Sequence, residues 1–358
     1  MEITVLENIE DLTALTPDWK ILLSRDPNHT VFQTPEWIIS CYECLENKDP
    51  LFVITVRKEG RLVGLAPLII KKKKINGFSR KVLTLIASDN YASDYCNFII
   101  DSNNNSEILT AIFDTINTSK MWDLCDIFNI PFYAEALPLF GNLCKERGLL
   151  HIRYPLIKAV ACILDTQQAK TELSNHSSLK RHIKTLKKKG NLQVIHLTDF
   201  AEIQNYLEAF FEQHINRWRD KAPSLFLHKS QKDFYKLAAE RLAKIHALIF
   251  TVILFDAQPI AFHFGFEYRN VFYWYKPSFD IDLAAISPGK VLQQSVFEYA
   301  VTNDISKFDF TIGDEPYKQK FVNNDSINYR LTIYRSYFDY LIAKTRRLVS
   351  TLLHGELK

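Results

Sequence analysis

No stretch of this chain approaches the roughly 18 apolar residues a membrane-crossing helix needs, and the longest strongly apolar run, Leu248–Phe255, has the length of a buried strand. Cysteine is sparse. The six cysteines stand at positions 41, 44, 96, 125, 144 and 162, with none in the remainder of the chain. That spread excludes a dense disulfide framework and suits a reducing compartment, so a cytoplasmic protein is expected. Cys41 and Cys44 have the spacing of a metal or redox pair. They fall, however, in a helical pattern with Trp37, Ile38 and Leu45, and no second pair completes a zinc site. They read as buried structural thiols, and no metal is expected. A charge excess of one sign is also missing: 44 Lys and Arg against 41 Asp and Glu give +3, too mild to imply a nucleic-acid partner. The chain begins MEITVLENIEDL, without a basic segment followed by an apolar run, so no signal peptide is expected.

What is present is the composition of an ordinary globular protein, 47% hydrophobic and 24% charged over 358 residues, a length that favours two domains. The patterning predicts a strand at 3–6, helices at 9–23 and 35–45, strands at 51–57, 62–70, 82–86 and 95–100, a helix at 107–116, a strand at 123–128, a helix at 134–147, and strands at 149–154 and 159–164. A second series follows in nearly the same order. It has a strand at 192–197, helices at 200–218 and 231–244, strands at 247–255, 260–268 and 271–276, a helix from Ser287, a strand from Phe308, a short helix at Pro316 and a strand at 329–334. Two copies of one α+β unit, 1–165 and 166–358, each a mixed sheet flanked by helices, is the economical reading. The last helix, from Ser336 to Leu353, is expected to pack on the adjacent half.

Residues 307–321, KFDFTIGDEPYKQKF, organise the second half. Phe308, Phe310 and Ile312 alternate with Asp309 and Thr311, which predicts a strand burying the first set and offering the second. Gly313 ends it, and Asp314, Glu315 and Pro316 have the order of a helix start. The turn is therefore expected to bring Asp309, Asp314, Tyr317 and Lys318 into one small volume, where each tunes the proton affinity of the others. Upstream, Ser287-Pro288-Gly289-Lys290 reads as the N-terminus of a helix. Its first-turn amides, at Gly289, Lys290 and Val291, lack intrahelical partners and suit a phosphate. His263 shares a strand face with Glu267, opposite Phe262, Phe264 and Phe266; that face is either structural or part of a substrate cleft.

Between the halves, SSLKRHIKTLKKKG repeats Leu179, Ile183 and Leu186 at helical spacing with a basic remainder. This segment, 178–189, is either a solvated face on a packed helix or a surface that attracts an anionic substrate or lipid headgroups. It carries no aromatic interleaving of the kind nucleic-acid binding uses.

The runs AFHFGFEYRNVFYWYKPSFD, AISPGKVLQQSVFEYA and KFDFTIGDEPYKQKF together resemble the C-terminal half of the cellulose-biosynthesis-type (CelD-like) N-acyltransferases. These belong to the GNAT superfamily and are related to the FemAB-type peptidoglycan aminoacyltransferases. The resemblance extends more loosely over most of the chain, through FQTPEW at 32–37 and Arg217-Trp218. It departs from the commonest superfamily pattern in having no Gln/Arg-x-x-Gly-x-Gly/Ala run, since Lys290-Val291 follow Gly289.

The resemblance implies tandem GNAT-like domains, with acyl-CoA, acetyl-CoA first, as co-substrate in the second. The acceptor is an amine of a sugar, a peptide or a polysaccharide or lipid precursor. It implies Ser287, Gly289, Lys290 and Val291 for the cofactor, Asp309 or Asp314 as base and Tyr317 as acid toward the thiolate. Lys318 would hold an acidic group or the pyrophosphate, and His263, Glu267, Tyr275 and Arg217 the substrate. Each candidate has a plainer reading: Asp314 as a helix cap, Lys318 as a surface residue, His263 as a structural histidine. Two other functions stay open. One is aminoacyl transfer from charged tRNA, against which no long helical-hairpin insertion separates the halves. The other is a non-catalytic protein that binds nucleotide or partners.

Overall fold

The computed structural model describes residues 1–88, 92–220 and 222–354. In chain order the first elements are β1 (Glu2–Leu6), α1 (Ile9–Ala14), α2 (Thr16–Leu23), α3 (Pro35–Glu43), β2 (Leu51–Lys58), β3 (Arg61–Ile75), β4 (Phe78–Leu85), β5 (Ile99–Ile100), α4 (Asn105–Thr118), β6 (Leu124–Pro131), α5 (Ala136–Glu146) and β7 (Leu150–Ile163). There follow α6 (Gln167–Ser174), α7 (Ser177–Lys187), β8 (Leu192–Leu197), α8 (Phe200–Trp218), α9 (Lys229–Lys244), β9 (Leu248–Phe255), β10 (Gln258–Tyr268), β11 (Val271–Phe279), α10 (Pro288–Thr302), β12 (Lys307–Ile312), β13 (Asn324–Tyr334) and α11 (Tyr337–His354). The fold is mixed α/β, with mostly antiparallel strands flanked by helices.

Two compact units result, Met1–Lys158 with Ser326–Lys358, and Ala159–Asp325. The expected division near residue 165 differs from this at the C-terminal end, because β13 pairs antiparallel with β6 and α11 packs on the first unit. Asp339 of α11, 3% exposed, takes a hydrogen bond of 2.7 Å from Arg80 Nε, and Arg347 lies over the Tyr154 ring at 4.3 Å. In exchange, the last residues of β7 pair with β12 in the second unit. The first unit orders its strands β1-β2-β3-β4-β6-β13, with β5 on β3 and one parallel pair, β4 with β6. The helix expected over 9–23 is broken into α1 and α2 at Leu15, with Pro17 in the first turn of α2.

The second unit orders its strands β8-β9-β10-β11-β12, antiparallel except for β11 with β12. Two of its hairpins turn on residue pairs with positive φ, Asp256 (48°) with Ala257 (65°) and Arg269 (53°) with Asn270 (61°). The right-handed twist of the flanking strands selects such turns, which is why they form here without glycine. One sheet face is covered by α8 and α9. Phe210 and Phe211 of α8, Phe226 and Tyr235 meet Phe250, Phe262 and Phe264, and each such buried ring contributes about 1.5–3 kcal/mol. The other face is covered by α10, where Val291, Leu292, Val296 and Phe297 pack with Phe272, Phe308 and Phe310. The basic segment forms α7, whose Leu179 and Leu186 are buried in this second core.

Candidate active site

The parallel pairing of β11 with β12 runs only over Val271, Phe272 and Tyr273 against Lys307, Phe308 and Asp309. Beyond it β12 is bulged: its register with β7 shifts between Asp309 and Ile312, and Thr311 has φ of 58°. A β-branched residue with positive φ is a strained one, and it persists only where its surroundings over-determine it. Here the Thr311 amide donates to Asp309 Oδ1 at 2.8 Å, and Lys307 Nζ lies 2.8 Å from Asp309 Oδ2. The alternation in this strand therefore does not expose Asp309. Asp309 and Thr311 are 2% and 3% exposed, because the bulge turns the carboxylate back onto its own strand.

Where β12 leaves β11, a cavity of about 450 Å³ opens, within the range of small-molecule sites. Trp274, Pro277 and Phe279 of β11, the start of α10, Tyr317 and the N-terminal end of α7 line it. The turn Ala284–Ile286 leads into Ser287, held at φ 58°, and this left-handed residue aims α10 at the cavity. The Lys290 and Val291 amides both close on the Ser287 carbonyl, at 3.0 and 3.3 Å. Of the expected free amides, only that of Gly289 has no backbone acceptor among the described residues. Val291 is fully buried as the first ordinary rung of the helix ladder. At Gly289 a Cβ would stand 2.9 Å from Phe279 Cδ1, so glycine is what lets the end of β11 close against the helix.

Of the residues expected at the site, Ser287, Gly289, Lys290, Arg217 and Tyr317 line this cavity. Arg217 donates to the Pro277 carbonyl at 2.6 Å and lies over the Phe279 ring at 4.2 Å. Its burial lowers its proton affinity, while Tyr317 and Glu315 raise it. The Tyr317 hydroxyl accepts from Trp274 Nε1 at 3.0 Å, which leaves its own O–H free to donate. Burial of that end pushes the phenol up to about 12. The Trp274 bond and Arg217 oppose the shift and Glu315 adds to it, and 40% of the side chain stays open.

Asp309, Asp314, Lys318, His263, Glu267 and Tyr275 are absent from the lining. Lys318, 3% exposed, turns inward and ties the strand end, donating to the Ile312 and Gly313 carbonyls at 2.8 and 3.3 Å and pairing with Glu315 at 2.7 Å. Asp314 is exposed in a turn, and the helix expected after it is only the 3-10 turn Lys318–Lys320. The His263–Glu267 face points to α10. His263 stacks on Trp274 at 4.5 Å, accepts from the Tyr275 amide at 3.1 Å and is depressed by burial to about 3, while Glu267 accepts from Tyr299 at 2.8 Å. Gly265 makes room for that ring, since a Cβ there would lie 2.0 Å from it.

Tyr275 faces the opposite side of the sheet, 2.7 Å from the Tyr235 hydroxyl, and its neighbour Trp274 lines the cavity in its place. Trp274, Phe279, Gln293, Lys320 and His176, none of them among the residues expected from the sequence, also line the cavity. The period of two in VFYWYK could have assigned Trp274, once Phe272 was placed in the core beside it. Among the described residues the cavity lining contains no carboxylate, and the cations Arg217, Lys290 and Lys320 surround apolar walls at Leu179, Phe279, Leu292 and Phe321.

A family model described as an acetyltransferase (GNAT) domain matches residues 174–319. No curated protein matches the chain. Among solved structures, FemX covers 92% of this chain and 97% of its own, with TM-score 0.61 and 12% identity. The C-terminal domain of a putative lysylphosphatidylglycerol synthetase from Agrobacterium fabrum covers 96% and 97%, with TM-score 0.57 and 10% identity. A tandem GNAT protein from the clavulanic acid biosynthesis pathway covers 93% and 98%, with TM-score 0.50 and 9% identity. At these identities the likeness is one of fold. The segment that carries most of the cavity lining, residues 174–319, thus matches a GNAT acetyltransferase domain model, in a chain whose fold is shared with a tandem GNAT protein.

Proposed function

We propose that this chain is an N-acyltransferase that moves an acyl group, acetyl first, from acyl-CoA to an amine of a sugar, a peptide or a polysaccharide precursor. The observation that carries this reading is the cavity itself. It lies beside the C-terminal half of β11 at a helix N-terminus, and the described residues that line it bring no carboxylate, three cations and apolar walls. Such a lining suits a ligand with phosphates at one end and an uncharged arm at the other. The free Gly289 amide and Lys290 would face the phosphates, and Trp274, Phe279 and Leu292 would flank the arm. Acyl-CoA as donor agrees with a cytoplasmic setting.

The amine attacks the thioester carbon, the C–S bond then breaks, and two proton movements complete the reaction. Tyr317, protonated throughout the neutral range, gives its proton to the departing sulfur. The ammonium proton goes to His176, whose imidazole stands in the cavity wall edge-on to Phe321 at 4.6 Å. We assign it this role in place of Asp309, which is committed to its bulge, and Asp314, which lies outside the lining. Solvent returns the proton from His176 to Tyr317. Arg217, with a backbone carbonyl as its only hydrogen-bond acceptor among the described residues, is left to hold an acidic group of the acceptor.

The test is thiol release from acetyl-CoA with a panel of amine acceptors. Tyr317→Phe and His176→Asn should each lower kcat about 10²–10⁴-fold with little change in coenzyme A affinity. Full turnover in both variants would remove these residues from the mechanism. Absence of thiol release with every acceptor, in a wild type that binds coenzyme A, would favour the non-catalytic reading.

The basic face of α7 and the residues that follow it is proposed as a weak contact for an anionic membrane surface. Lys180, Lys184, Lys187 and Lys188 rim a second hollow of about 370 Å³. Among the described residues Arg181, Lys184, Lys187, Lys188 and Lys189 make no ion pair with a carboxylate. The same helix borders the cavity at its other end, so an acceptor carried on such a surface would be presented to the site.

A further inference from the structure

One buried group in the cavity has no task in the reaction described above. Gln293 stands on α10 one turn beyond Gly289, about 6 Å farther along the helix axis. It lines the same cavity, is 6% exposed, and its Nε2 is buried with no hydrogen-bond partner among the described residues. An amide nitrogen in that state has given up its water and gained nothing, which native proteins avoid unless the group serves a purpose. Packing does not require it. Val291, Leu292, Val296 and Phe297 on the same helix are fully buried hydrocarbons, and a hydrocarbon side chain of similar volume, such as leucine, would satisfy the burial at Gln293 without a polar group.

That nitrogen is closed off from the cavity in the ligand-free protein, so its partner would be an oxygen that arrives with a ligand and draws the amide round to the cavity side the residue already borders, and the surroundings narrow its type. Leu292 beside it and the Trp274 and Leu179 walls of the cavity are apolar. Gln293 itself is neutral and offers two N–H groups, so it pairs with a neutral carbonyl rather than neutralising a phosphate. We propose that Gln293 is a positioning residue that donates a hydrogen bond to an amide carbonyl on the pantetheine arm of the acyl donor. This rests on the acyl-CoA reading above. The phosphates then meet the helix N-terminus at Gly289 and Lys290, and the arm passes Gln293 one turn deeper on its way to Tyr317. The carbonyl fixes how far the arm enters and hence where the thioester stops.

The unpaired state of Gln293 in the free protein gives the test two readouts that move in opposite directions. Gln293→Leu removes a buried unsatisfied group, so the thermal midpoint of the ligand-free protein should hold or rise. Affinity for coenzyme A by calorimetry should fall about tenfold, equal to roughly 1.4 kcal/mol. Affinity for adenosine 3′,5′-bisphosphate, which has the phosphates without the arm, should stay unchanged. Gln293→Glu, which keeps the shape and loses the donor, should weaken coenzyme A binding at least as much.

A lowered midpoint with unchanged coenzyme A affinity would make Gln293 a structural residue and overturn the proposal. So would an equal loss for the bisphosphate and for coenzyme A, since the group would then read the nucleotide end. A wild type that binds neither probe would instead overturn the acyl-CoA reading on which the proposal stands, a result seen before any variant is made.

Discussion

Asp309 shows how a residue with the chemistry of a base is spent on shape. Its carboxylate accepts from the Thr311 amide and pairs with Lys307, and those bonds hold Thr311 at positive φ so that β12 can swing away from β11. Asp309→Asn keeps an oxygen for the Thr311 amide, and Asp309→Ala does not. The alanine variant should lose about 3 kcal/mol or more of stability, because it strands a buried N–H and the Lys307 ammonium, and the asparagine variant should lose distinctly less. Turnover per folded molecule should remain near wild type in the asparagine variant. A stable but inactive Asp309→Asn would return this residue to the role of base. From the sequence the strand was legible as FDFTI, but its bulge was not, since no glycine marks it. Lys318 was equally opaque, because a lysine that folds back onto strand-end carbonyls has the same neighbours in sequence as one that faces solvent.

At the scale of elements, α10 was legible in its start and its apolar run, because proline in the first turn and a glycine beside it are tied to local geometry. Which of its amides remain free was legible only in part: Val291, four residues past Ser287, takes the ordinary first rung of the helix, whereas Lys290 closes on the same carbonyl in a tightened first turn that the sequence does not mark. In β11 Tyr275, expected to bind substrate, meets Tyr235 while its neighbour Trp274 lines the cavity, since a period of two makes a single step a change of sheet face. Helix α7 was legible as amphipathic, with its Leu179–Leu186 face in the core. Its basic face yields a prediction at this scale. Binding to vesicles of phosphatidylcholine with 30% phosphatidylglycerol should exceed binding to pure phosphatidylcholine. It should fall as salt rises from 50 to 300 mM, and vanish in a Lys184→Glu, Lys187→Glu, Lys188→Glu variant whose midpoint is unchanged. Equal binding to both vesicle types, or preference for duplex RNA over anionic vesicles, would contradict the membrane contact.

Over the whole molecule the element order could be read nearly throughout, and the last helix packs on the adjacent half as expected, while the pairing of β13 with β6 could not be read, because strand partners many residues apart leave no local trace. The second unit also carries a pH dependence that no motif announces. His196, His214 and His263 are held neutral by burial, at about 4, 3 and 3. A depressed folded value means these groups add stability above the unfolded value near 6.5 and lose it as pH falls toward the folded ones. Between about pH 6 and 4 the unfolded chain binds up to three more protons at these positions, so stability should decline by as much as roughly 4 kcal/mol per pH unit. Denaturant midpoints across that window measure it directly, and His214→Gln, which keeps a polar partner for the Ser224 hydroxyl, should flatten the slope by about a third. An unchanged slope would show that His214 titrates normally.

On the proposed function a CoA-type donor enters the second unit with its phosphates at the N-terminus of α10. Calorimetric titration of coenzyme A into wild type and Gly289→Asp tests it most directly. The aspartate would meet the Phe279 ring and place a negative charge where the phosphates lie. Wild type should bind one equivalent, and the variant, folded by thermal midpoint and circular dichroism, should bind more than tenfold more weakly. Equal affinity in the two proteins, or no binding by wild type, would contradict the account.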